Sequence, residues 1–439
     1  MPGENTNIYN GVVLPISEIN LLKDLERSLQ ENGSLNEEET IPIIFKDKAE
    51  NRESTIGFYA ENNTVFALSL RFCALTSLPA SLGQLTNLQR LDVTGNQLTT
   101  LPETLGNCTL LQTLYADENQ LTSIPEPLGN CTLLRELHAD ANQLTTLPTS
   151  LCQLTNLETL RLYANKLAVL PRHISQLTRL TDLSCGNNRL MSLPESLWQL
   201  TNLQVLNVAE NQLASLPESV GWLTNLSMLD LGHNELSFLP ETLGKLRNLT
   251  FLYTSNNHLA FLPASLGNLS NLRYLNAADN TLTALPDSFG NLRNLEELRL
   301  YNNRLTSLPE SLGKLTKLQE LHVMHNTLVS LPESLGDLGS LKELRLSSNK
   351  LATLPESLGK LPHLTHLDLR NNRLTVLPES LGKLRNLLYL DLRANKLLTL
   401  PASIGELPRL EKLDVRWNKL SSHLAWLQRL EQRGCTVFT

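Results

Sequence analysis

The stretch LQRLDVTGNQLTTLPETLGNCTL, residues 88–110, decides the fold. Leucine or valine stands at its positions 1, 4, 6, 11 and 14, asparagine at position 9 and proline at position 15. The pattern returns every 23 residues, from a first unit that begins at Val65 to a last unit that begins at Leu410. The 16 units contain no insertion or deletion. A fixed period of this length indicates that each unit is one structural repeat that packs on its neighbours.

The positions within a unit have separate physical roles. The first six predict a short β-strand that is buried on one face, because apolar and polar residues alternate toward its end. The asparagine at position 9 is expected to point inward and to satisfy backbone groups of its own and the neighbouring unit. The proline at position 15 has a fixed φ and no N–H, which suits the place where the chain leaves the strand direction. Glycine in the L-G-x-L turn is expected where the backbone bends.

With these residues, the chain resembles leucine-rich repeat proteins of the 23-residue type. Similar repeats occur in scribble-type scaffolds, plant intracellular Ras-group-related proteins and the repeat arms of Roco proteins. The resemblance covers residues 65–420, about four fifths of the chain. It implies an α/β-type solenoid, a horseshoe with parallel strands on its concave face and short helical or irregular turns on its convex face. It also implies protein partners, such as a small GTPase, a phosphatase or a host signalling protein.

The chain divides into three predicted parts. Residues 65–420 form the solenoid, residues 1–64 an N-terminal cap and residues 421–439 a C-terminal cap. Each cap is expected to cover an open sheet edge and an exposed core, which would otherwise favour aggregation. An alternative for the N-terminal helix is a separate docking or targeting element.

Each cap has predicted elements of its own. Residues 1–15 are expected to be unstructured, and a helix is expected from Ser17, its capping residue, to Asn32. A strand over residues 55–60 and a turn then lead into the first repeat strand. At the other end, a helix over residues 423–432 and a last strand over residues 435–438 are expected to close the core.

Composition and charge restrict the class of protein. The net charge of −7 argues against general binding to nucleic acid. The six cysteines lack the clustered arrangement of extracellular repeat caps, which favours a reducing compartment. No secretory signal is apparent in MPGENTNIYN, and no apolar run is long enough to span a membrane. We therefore expect a cytoplasmic protein, while secretion by a route without such a signal stays open.

Positions 3, 5, 7 and 8 should form the exposed concave surface, and 16 strands about 4.8 Å apart would make it roughly 75 Å long. Its residues change along the chain. The acidic zone holds Asp92, Asp117, Glu118, Glu136 and Asp140 against Arg90. The aromatic zone holds Met228, Phe251, Tyr253, Tyr274, Tyr301, His322 and Met324, with Phe238 and Phe261 expected to stack beside it. The basic end holds Arg345, Lys350, Arg370, Arg373, Arg393, Lys396, Lys412, Arg416 and Lys419 against Glu343, Asp368, Asp391 and Asp414.

Aromatic residues, methionine and arginine are enriched in interface hot spots. The residues predicted to contact a partner are Met228, Phe251, Tyr253, Tyr274, Arg299, Tyr301, His322, Met324, Arg345, Arg370 and Arg393. Two structural explanations stay open beside this prediction, because aromatic side chains also stack across a ladder and rows of Asp and Arg also neutralise each other within it. Trp198 and Trp222 are expected to pack the convex face.

At position 6, five units carry a small or polar residue in place of leucine or valine. An uncompensated Leu→Ala change in a core costs about 2–5 kcal/mol. Another group must therefore fill the space, or the strands must approach more closely. The five residues are Ala116, Ala139, Cys185, Thr254 and Ala277.

No motif for catalysis or cofactor binding occurs. The Gly-Lys pairs are followed by leucine, so the phosphate-binding loop of a Roco GTPase is missing. His322 and His325 lie on a strand that leaves for a loop and are not expected to hold a metal. The segment around Cys435 is too short for a ubiquitin-ligase domain. The sequence favours a non-enzymatic scaffold that binds a protein through its concave face. The alternatives are an effector-type or regulatory subunit acting with a separate enzyme, and an extracellular recognition protein.

Overall fold

The computed structural model describes residues 6–44, 55–420 and 425–439. These residues form two compact units, Met1–Leu213 and Ala214–Thr439. In each unit, short parallel strands line one side, and five-residue 3-10 helices occupy most of the connections between them. The predicted solenoid of parallel strands and short helical turns is confirmed.

The first unit begins with a hairpin and a helix. Its elements are β1 Thr6–Tyr9, β2 Val12–Pro15, α1 Ile16–Glu31, β3 Ile56–Glu61, β4 Thr64–Leu70, β5 Arg90–Asp92, β6 Thr113–Tyr115, β7 Glu136–His138, β8 Thr159–Arg161, β9 Asp182–Ser184 and β10 Val205–Asn207. β3 is antiparallel to β4, and β4 to β10 follow as parallel neighbours in sequence order. The 3-10 helices are Ala80–Gln84, Glu103–Asn107, Glu126–Asn130, Thr149–Gln153, Ile174–Gln176 and Glu195–Gln199.

The second unit continues the same architecture. Its elements are β11 Met228–Asp230, β12 Phe251–Tyr253, β13 Tyr274–Asn276, β14 Glu297–Arg299, β15 Glu320–His322, β16 Glu343–Arg345, β17 His366–Asp368, β18 Tyr389–Asp391, β19 Lys412–Asp414, α2 Ala425–Gln432 and β20 Thr436–Phe438. β11 to β20 are parallel neighbours in sequence order. The 3-10 helices are Glu218–Trp222, Glu241–Lys245, Ala264–Asn268, Asp287–Asn291, Glu310–Lys314, Glu333–Asp337, Glu356–Lys360, Glu379–Lys383 and Ala402–Glu406. Among the described residues, no helix has the length and apolar character needed to cross a bilayer.

The N-terminal segment is more ordered than expected. The prediction of an unstructured start is wrong for residues 6–15, which form the antiparallel β1–β2 hairpin; residues 1–5 lie outside the described part. Asn10 and Gly11 have φ of 47° and 82°, and an Asn-Gly pair is a strong signal for a two-residue hairpin turn.

Helix α1 is confirmed to within one residue at each end, although Pro15 precedes it and no side chain caps it. It contacts the first repeat through two side chains. Glu18 Oε2 accepts the backbone N–H of Val65 at 2.8 Å, and Asn32 Nδ2 donates to the Cys73 carbonyl at 2.7 Å. These bonds satisfy backbone groups at the start of the repeats, while the capping role itself stays a prediction.

At the C-terminus, residues 423–424 of the predicted helix lie outside the described part, and α2 and β20 agree with the rest of the prediction.

The asparagine at position 9 is buried and points inward as predicted. In Asn303, which is 7% exposed, Nδ2 donates to the carbonyls of Ala277, Leu300 and Tyr301 at 2.9, 3.1 and 3.2 Å. Its Oδ1 accepts the N–H of Leu282 at 2.9 Å. One side chain therefore satisfies backbone groups of its own and the preceding repeat.

The residue at position 8 has left-handed backbone geometry, which the sequence reading missed. Its φ lies between 50° and 61° in the non-glycine cases. The position accepts many residue types because it lies in a turn, although the conformation costs an L-residue roughly 1–2 kcal/mol. The residues are Phe72, Glu118, Ala141, Ala164, Asn187, Glu210, His233, Asn256, Asp279, Asn302, His325, Ser348, Asn371, Ala394 and Trp417.

The turn glycine has a different role from the one predicted. Gly106 does not have positive φ; instead, a Cβ at this position would lie 2.3 Å from the Pro127 carbonyl oxygen of the next repeat. The glycine is required by close packing between repeats rather than by a bend. Three consecutive repeats replace this glycine with Cys152, Ser175 and Trp198, and the 3-10 helix that contains Ser175 is shortened to Ile174–Gln176.

The small residues at position 6 are buried, and the strands that carry them stay in register. The unit that contains Ala277 also contains Phe289, which is fully buried where most units have leucine. A larger side chain therefore accompanies the smaller one in this unit. Thr254 satisfies its hydroxyl by donating to the Asn276 carbonyl at 3.1 Å. The structure gives no explanation for Ala116 and Ala139.

We predict that Asn303→Ala lowers the free energy of unfolding by about 2–4 kcal/mol, because each buried backbone group left without a partner costs about 1–3 kcal/mol. Urea unfolding followed by circular dichroism measures the change. The matched control is Asn294→Ala, which removes two exposed hydrogen bonds, one to the Ser270 carbonyl and one from Lys317, and should change stability by less than about 0.5 kcal/mol. Equal effects of the two variants would contradict the role of the buried ladder.

Substitutions of Ala164, whose φ is 55°, test the cost of the left-handed conformation at position 8. We predict that Ala164→Gly stabilises the protein by about 0.5–1 kcal/mol, because relief of the left-handed strain exceeds the entropic cost of glycine. Ala164→Val should destabilise it, since β-branched residues tolerate positive φ poorly. The same unfolding measurement applies, and a gain from valine would show that the turn relaxes.

Candidate functional site

The residues predicted to contact a partner all lie in the second unit, on β11 to β18 or directly after them. They occupy positions 3, 5 and 7 of their repeats, which share one side of the sheet because side chains alternate along a strand. We call this side the strand face. The structure thus brings the predicted residues onto one surface, and their contacts distinguish three groups.

The aromatic zone combines packed and exposed side chains. Met228, Phe251 and Tyr274 lie opposite one another in register. The rings of Tyr253 and Tyr274 are 5.0 Å apart and tilted by 40°, and the Arg299 guanidinium lies 5.5 Å from the Tyr274 ring centre. Burial raises the pKa of Tyr274 to about 12. These two tyrosines therefore stack across the ladder, as the structural explanation requires.

Phe251 differs from its neighbours. Its side chain is 41% exposed, and it makes no ring contact within the described part of the chain. Tyr301 and Met324, at position 7, are half-buried. Of the aromatic zone, Phe251 is the residue most available to a partner.

The expected stack of Phe238 and Phe261 is absent from the ring contacts of the described residues. The two side chains are 44% and 59% exposed. Their shared repeat position places them beside each other but does not bring the rings into contact. On the convex side, Trp198 is fully buried as expected, whereas Trp222 is 53% exposed.

A row of three glutamates was missed by the sequence reading. Glu297, Glu320 and Glu343 lie in register on β14, β15 and β16. Position 5 of the same strands carries Arg299, His322 and Arg345. The signal was present in the sequence as the tripeptides ELR, ELH and ELR at 23-residue spacing.

His322 is the most buried residue of this group, with 7% exposure. Burial, followed by the positive charge of Arg345, lowers the pKa of its imidazole. Burial, followed by the charges of Glu297 and Glu343, raises the pKa of Glu320. The predicted contact of His322 with a protein partner would thus involve little of its surface.

The arginines at position 7 of the basic end are paired within their own strands. Arg393 donates to both carboxylate oxygens of Asp391, at 2.9 and 2.5 Å. Arg416 donates to Asp414 at 2.6 Å. Burial alone would raise the pKa of Asp414, but the hydrogen bonds from Arg416 and the charges of both arginines bring it below its usual value. Arg370 lies 3.4 Å from Asp368.

Arg345, at position 5, is likewise paired with Glu343. The arginines predicted to contact a partner are therefore largely paired with carboxylates of the sheet itself. Beside them lies a groove of about 290 Å³ that includes His366 and Tyr389, whose rings stack 4.6 Å apart.

Four other cations of the basic end have no such partner. They stand at position 10 of consecutive repeats, and all four are exposed. Within the described part of the chain, none of them forms an ion pair or a side-chain hydrogen bond. We call them the unpaired row: Lys350, Arg373, Lys396 and Lys419.

Carboxylates of the acidic zone, which lies in the first unit, accept hydrogen bonds from backbone N–H groups. Asp117 Oδ1 accepts the N–H of Asp140 at 2.9 Å, and Asp140 Oδ1 accepts the N–H of Tyr163 at 2.6 Å. Glu136 accepts a hydrogen bond from the Tyr115 hydroxyl at 2.7 Å. These carboxylates hold adjacent strands together, which gives them a structural role.

Comparisons with known families match most of the repeats. A model described as a leucine-rich repeat region matches residues 195–271 and 264–356. A leucine rich repeat model matches residues 65–121 and 362–420, and a model of two repeat copies matches residues 339–379. No curated protein matches the chain.

Several solved structures are similar over most of the chain. A leucine-rich repeat protein of Leptospira interrogans is 32% identical with a TM-score of 0.72, and the match covers 85% of this chain and 95% of that one. The functional domain of InlJ from Listeria monocytogenes is 25% identical with a TM-score of 0.67, covering 80% and 74%. The plant peptide hormone receptor RGFR1, solved in complex with RGF2, is 29% identical with a TM-score of 0.67, covering 82% and 64%. By its repeats and by these likenesses, the chain belongs to the leucine-rich repeat proteins.

Proposed function

We propose that this protein is a non-enzymatic scaffold that binds a protein partner through the strand face and the unpaired row of its second unit. The fold supports a binding role, since leucine-rich repeat domains are generally protein-interaction modules. RGFR1, a plant peptide hormone receptor among the similar structures, was solved in complex with RGF2. The positions exposed on the strand face vary from repeat to repeat, while the core positions repeat the same leucines.

The unpaired row carries this proposal. Its four cations stand one repeat apart, so their backbones are roughly 5 Å from each other. Like charges at this spacing are destabilising, and no acidic residue of the described chain pairs with them. The neighbouring arginines at position 7 are neutralised by Asp368, Asp391 and Asp414. A row that costs stability and is left unneutralised is explained by an acidic segment on the partner.

The aromatic zone supplies the apolar part of the proposed surface. Phe251 is exposed, and Tyr253 and Tyr274 provide rigid rings beside it. Aromatic anchors next to a charged rim are the usual composition of a protein interface. The partner should therefore present an apolar side chain and an acidic segment on one surface.

The compartment and the class of partner belong to the same proposal. The six cysteines are buried and free, which supports a reducing environment such as the cytoplasm. Small GTPases and phosphatases, which the resemblance to scribble-type, plant Ras-group-related and Roco repeats implies, are the first partner classes to test. A host signalling protein is the corresponding partner if the protein is exported by a route without a signal.

A stability comparison tests whether the unpaired row serves binding rather than folding. We predict that Lys396→Ala leaves the free energy of unfolding unchanged or raises it by a few tenths of a kcal/mol, because repulsion from Arg373 and Lys419 is removed. Arg393→Ala should lower it by about 1 kcal/mol, since Asp391 loses a bidentate partner. Urea unfolding of both variants measures the difference. Equal losses would mean that both rows stabilise the sheet.

Affinity capture from a lysate of the source cell tests the proposed function. The baits are the wild type, a charge-reversal variant of the unpaired row (Lys350→Glu, Arg373→Glu, Lys396→Glu, Lys419→Glu) and a Phe251→Ala, Tyr253→Ala, Tyr301→Ala variant. We expect a protein that the wild type captures at low salt and that both variants lose, because charge and apolar contact contribute to one interface.

The control bait reverses cations at the same repeat position in the first unit, Lys166→Glu and Arg189→Glu, and should capture the partner normally. Circular dichroism and unfolding curves establish that all baits are folded. If every bait captured the same proteins, the binding surface would lie outside both the strand face and the unpaired row. If the wild type captured nothing, the scaffold proposal would lose its main support.

A further inference from the structure

Three potential metal ligands converge on β14 and β15. Glu297, Glu320 and His322 each present a ligand atom, and these atoms lie within 4.8 Å of one another. Glu297 and Glu320 are adjacent in register at position 3, and His322 follows Glu320 by two residues on the same side of its strand. The group is therefore fixed by the sheet and not by a mobile loop.

The imidazole of His322 is the second observation that points to a ligand. The residue is 93% buried, and its Nε2 is inaccessible to solvent and has no hydrogen-bond partner among the residues that the structure describes. This nitrogen lies 3.3 Å from Glu320 Oε2 without forming a hydrogen bond. A buried polar atom without a partner is costly, and a bound ion would satisfy it.

The charges around the group leave one carboxylate without an arginine. Arg299 donates its Nε–H to Glu297, and Arg345 donates to Glu343. Glu320 lies between these two glutamates and pairs with no arginine of the described chain. Carboxylates in register repel one another, so a cation at Glu320 would relieve this repulsion. The contact with Arg299 also orients the Glu297 carboxylate, as outer-sphere partners orient metal ligands.

The same tripeptide occurs elsewhere without forming such a group. Glu136-Leu137-His138 of β7 has the same repeat positions as Glu320-Leu321-His322. Its register neighbours at position 3 are Thr113 and Thr159, so a second carboxylate is missing. Glu136 and His138 instead contact Tyr115, by a 2.7 Å hydrogen bond and by a ring contact of 4.7 Å. The feature that distinguishes β15 is the glutamate supplied by β14.

We propose that Glu297, Glu320 and His322 form a binding site for a divalent transition metal, with Zn²⁺ as the ion that fits best. Imidazole nitrogen and carboxylate oxygen are both common zinc ligands. A tetrahedral zinc with bonds of about 2.0–2.2 Å places its ligand atoms roughly 3.3–3.5 Å apart. Small rotations of the three side chains bring their ligand atoms from the present spacing to this one around an ion. Three protein ligands leave the fourth position open to water or to a group of a bound partner.

The proposal does not depend on the proposed function and is tested on the purified chain alone. Isothermal titration with Zn²⁺ should give one site per chain, and Co²⁺ should give the visible absorption of a low-symmetry site with nitrogen and oxygen ligands. Because the six thiols are buried, the cobalt complex should lack the charge-transfer band of a thiolate ligand.

The variants Glu320→Gln, Glu297→Gln and His322→Gln should each weaken Zn²⁺ binding at least about tenfold, since even an outer-sphere partner is worth about that much. The matched control changes the corresponding residues of β7, Glu136→Gln and His138→Gln, and should bind as the wild type does. Each variant keeps the size of its side chain, and unfolding curves show which are folded. Absence of a wild-type site, a thiolate band, or wild-type affinity in the folded variants of Glu297, Glu320 or His322 would overturn the proposal.

Discussion

The repeats depend on one interaction, the hydrogen bonding of the buried asparagine to the backbone around it. The turn that follows each strand lies in the interior of the solenoid, where its carbonyl and N–H groups cannot reach water. The Asn303 amide satisfies three of these carbonyls, and its oxygen accepts the N–H of Leu282 in the preceding repeat. A buried polar group is tolerated only when it is paired in this way. The same side chain thus closes its own turn and fixes the register with its neighbour.

Fixed register has a second consequence on the surface. Residues at the same repeat position lie one strand apart. A charged residue type that recurs at one position therefore forms a row of like charges, and two neighbouring positions can carry rows of opposite charge. The Asp and Arg rows at positions 5 and 7 neutralise each other, as Asp391 and Arg393 do. Within the described residues, the glutamate row is neutralised by arginine except at Glu320, and the four cations of the unpaired row form no ion pair. Where a row is left unbalanced, stability does not account for it, and the two proposed binding sites were inferred from these rows.

The features that the sequence predicted are those that recur in every repeat. Many of the features that it missed depend on close contact between neighbouring repeats. The strands, the inward asparagines and helix α1 follow from periodicity and from helix start and stop signals. The glycine of the convex turn was assigned to bending, whereas Gly106 is needed because Pro127 of the next repeat is too close for a side chain. The left-handed residue at position 8 has no fixed residue type, so its geometry left no signal. The burial of His322 likewise depends on neighbouring strands and could not be read from one repeat.

The candidate sites consist of departures from the repeat, and this explains how far each could be predicted. Exposed aromatic residues such as Phe251 stand out in a sequence because the rest of the chain is poor in them. The cluster at His322 does not stand out, because Glu-Leu-His also occurs at residues 136–138, where Tyr115 hydrogen-bonds Glu136 and packs against the ring of His138. Only the pairing of β14 with β15 separates the two cases. In a solenoid, the identity of a site is therefore decided by the residue one repeat away as much as by the residue itself.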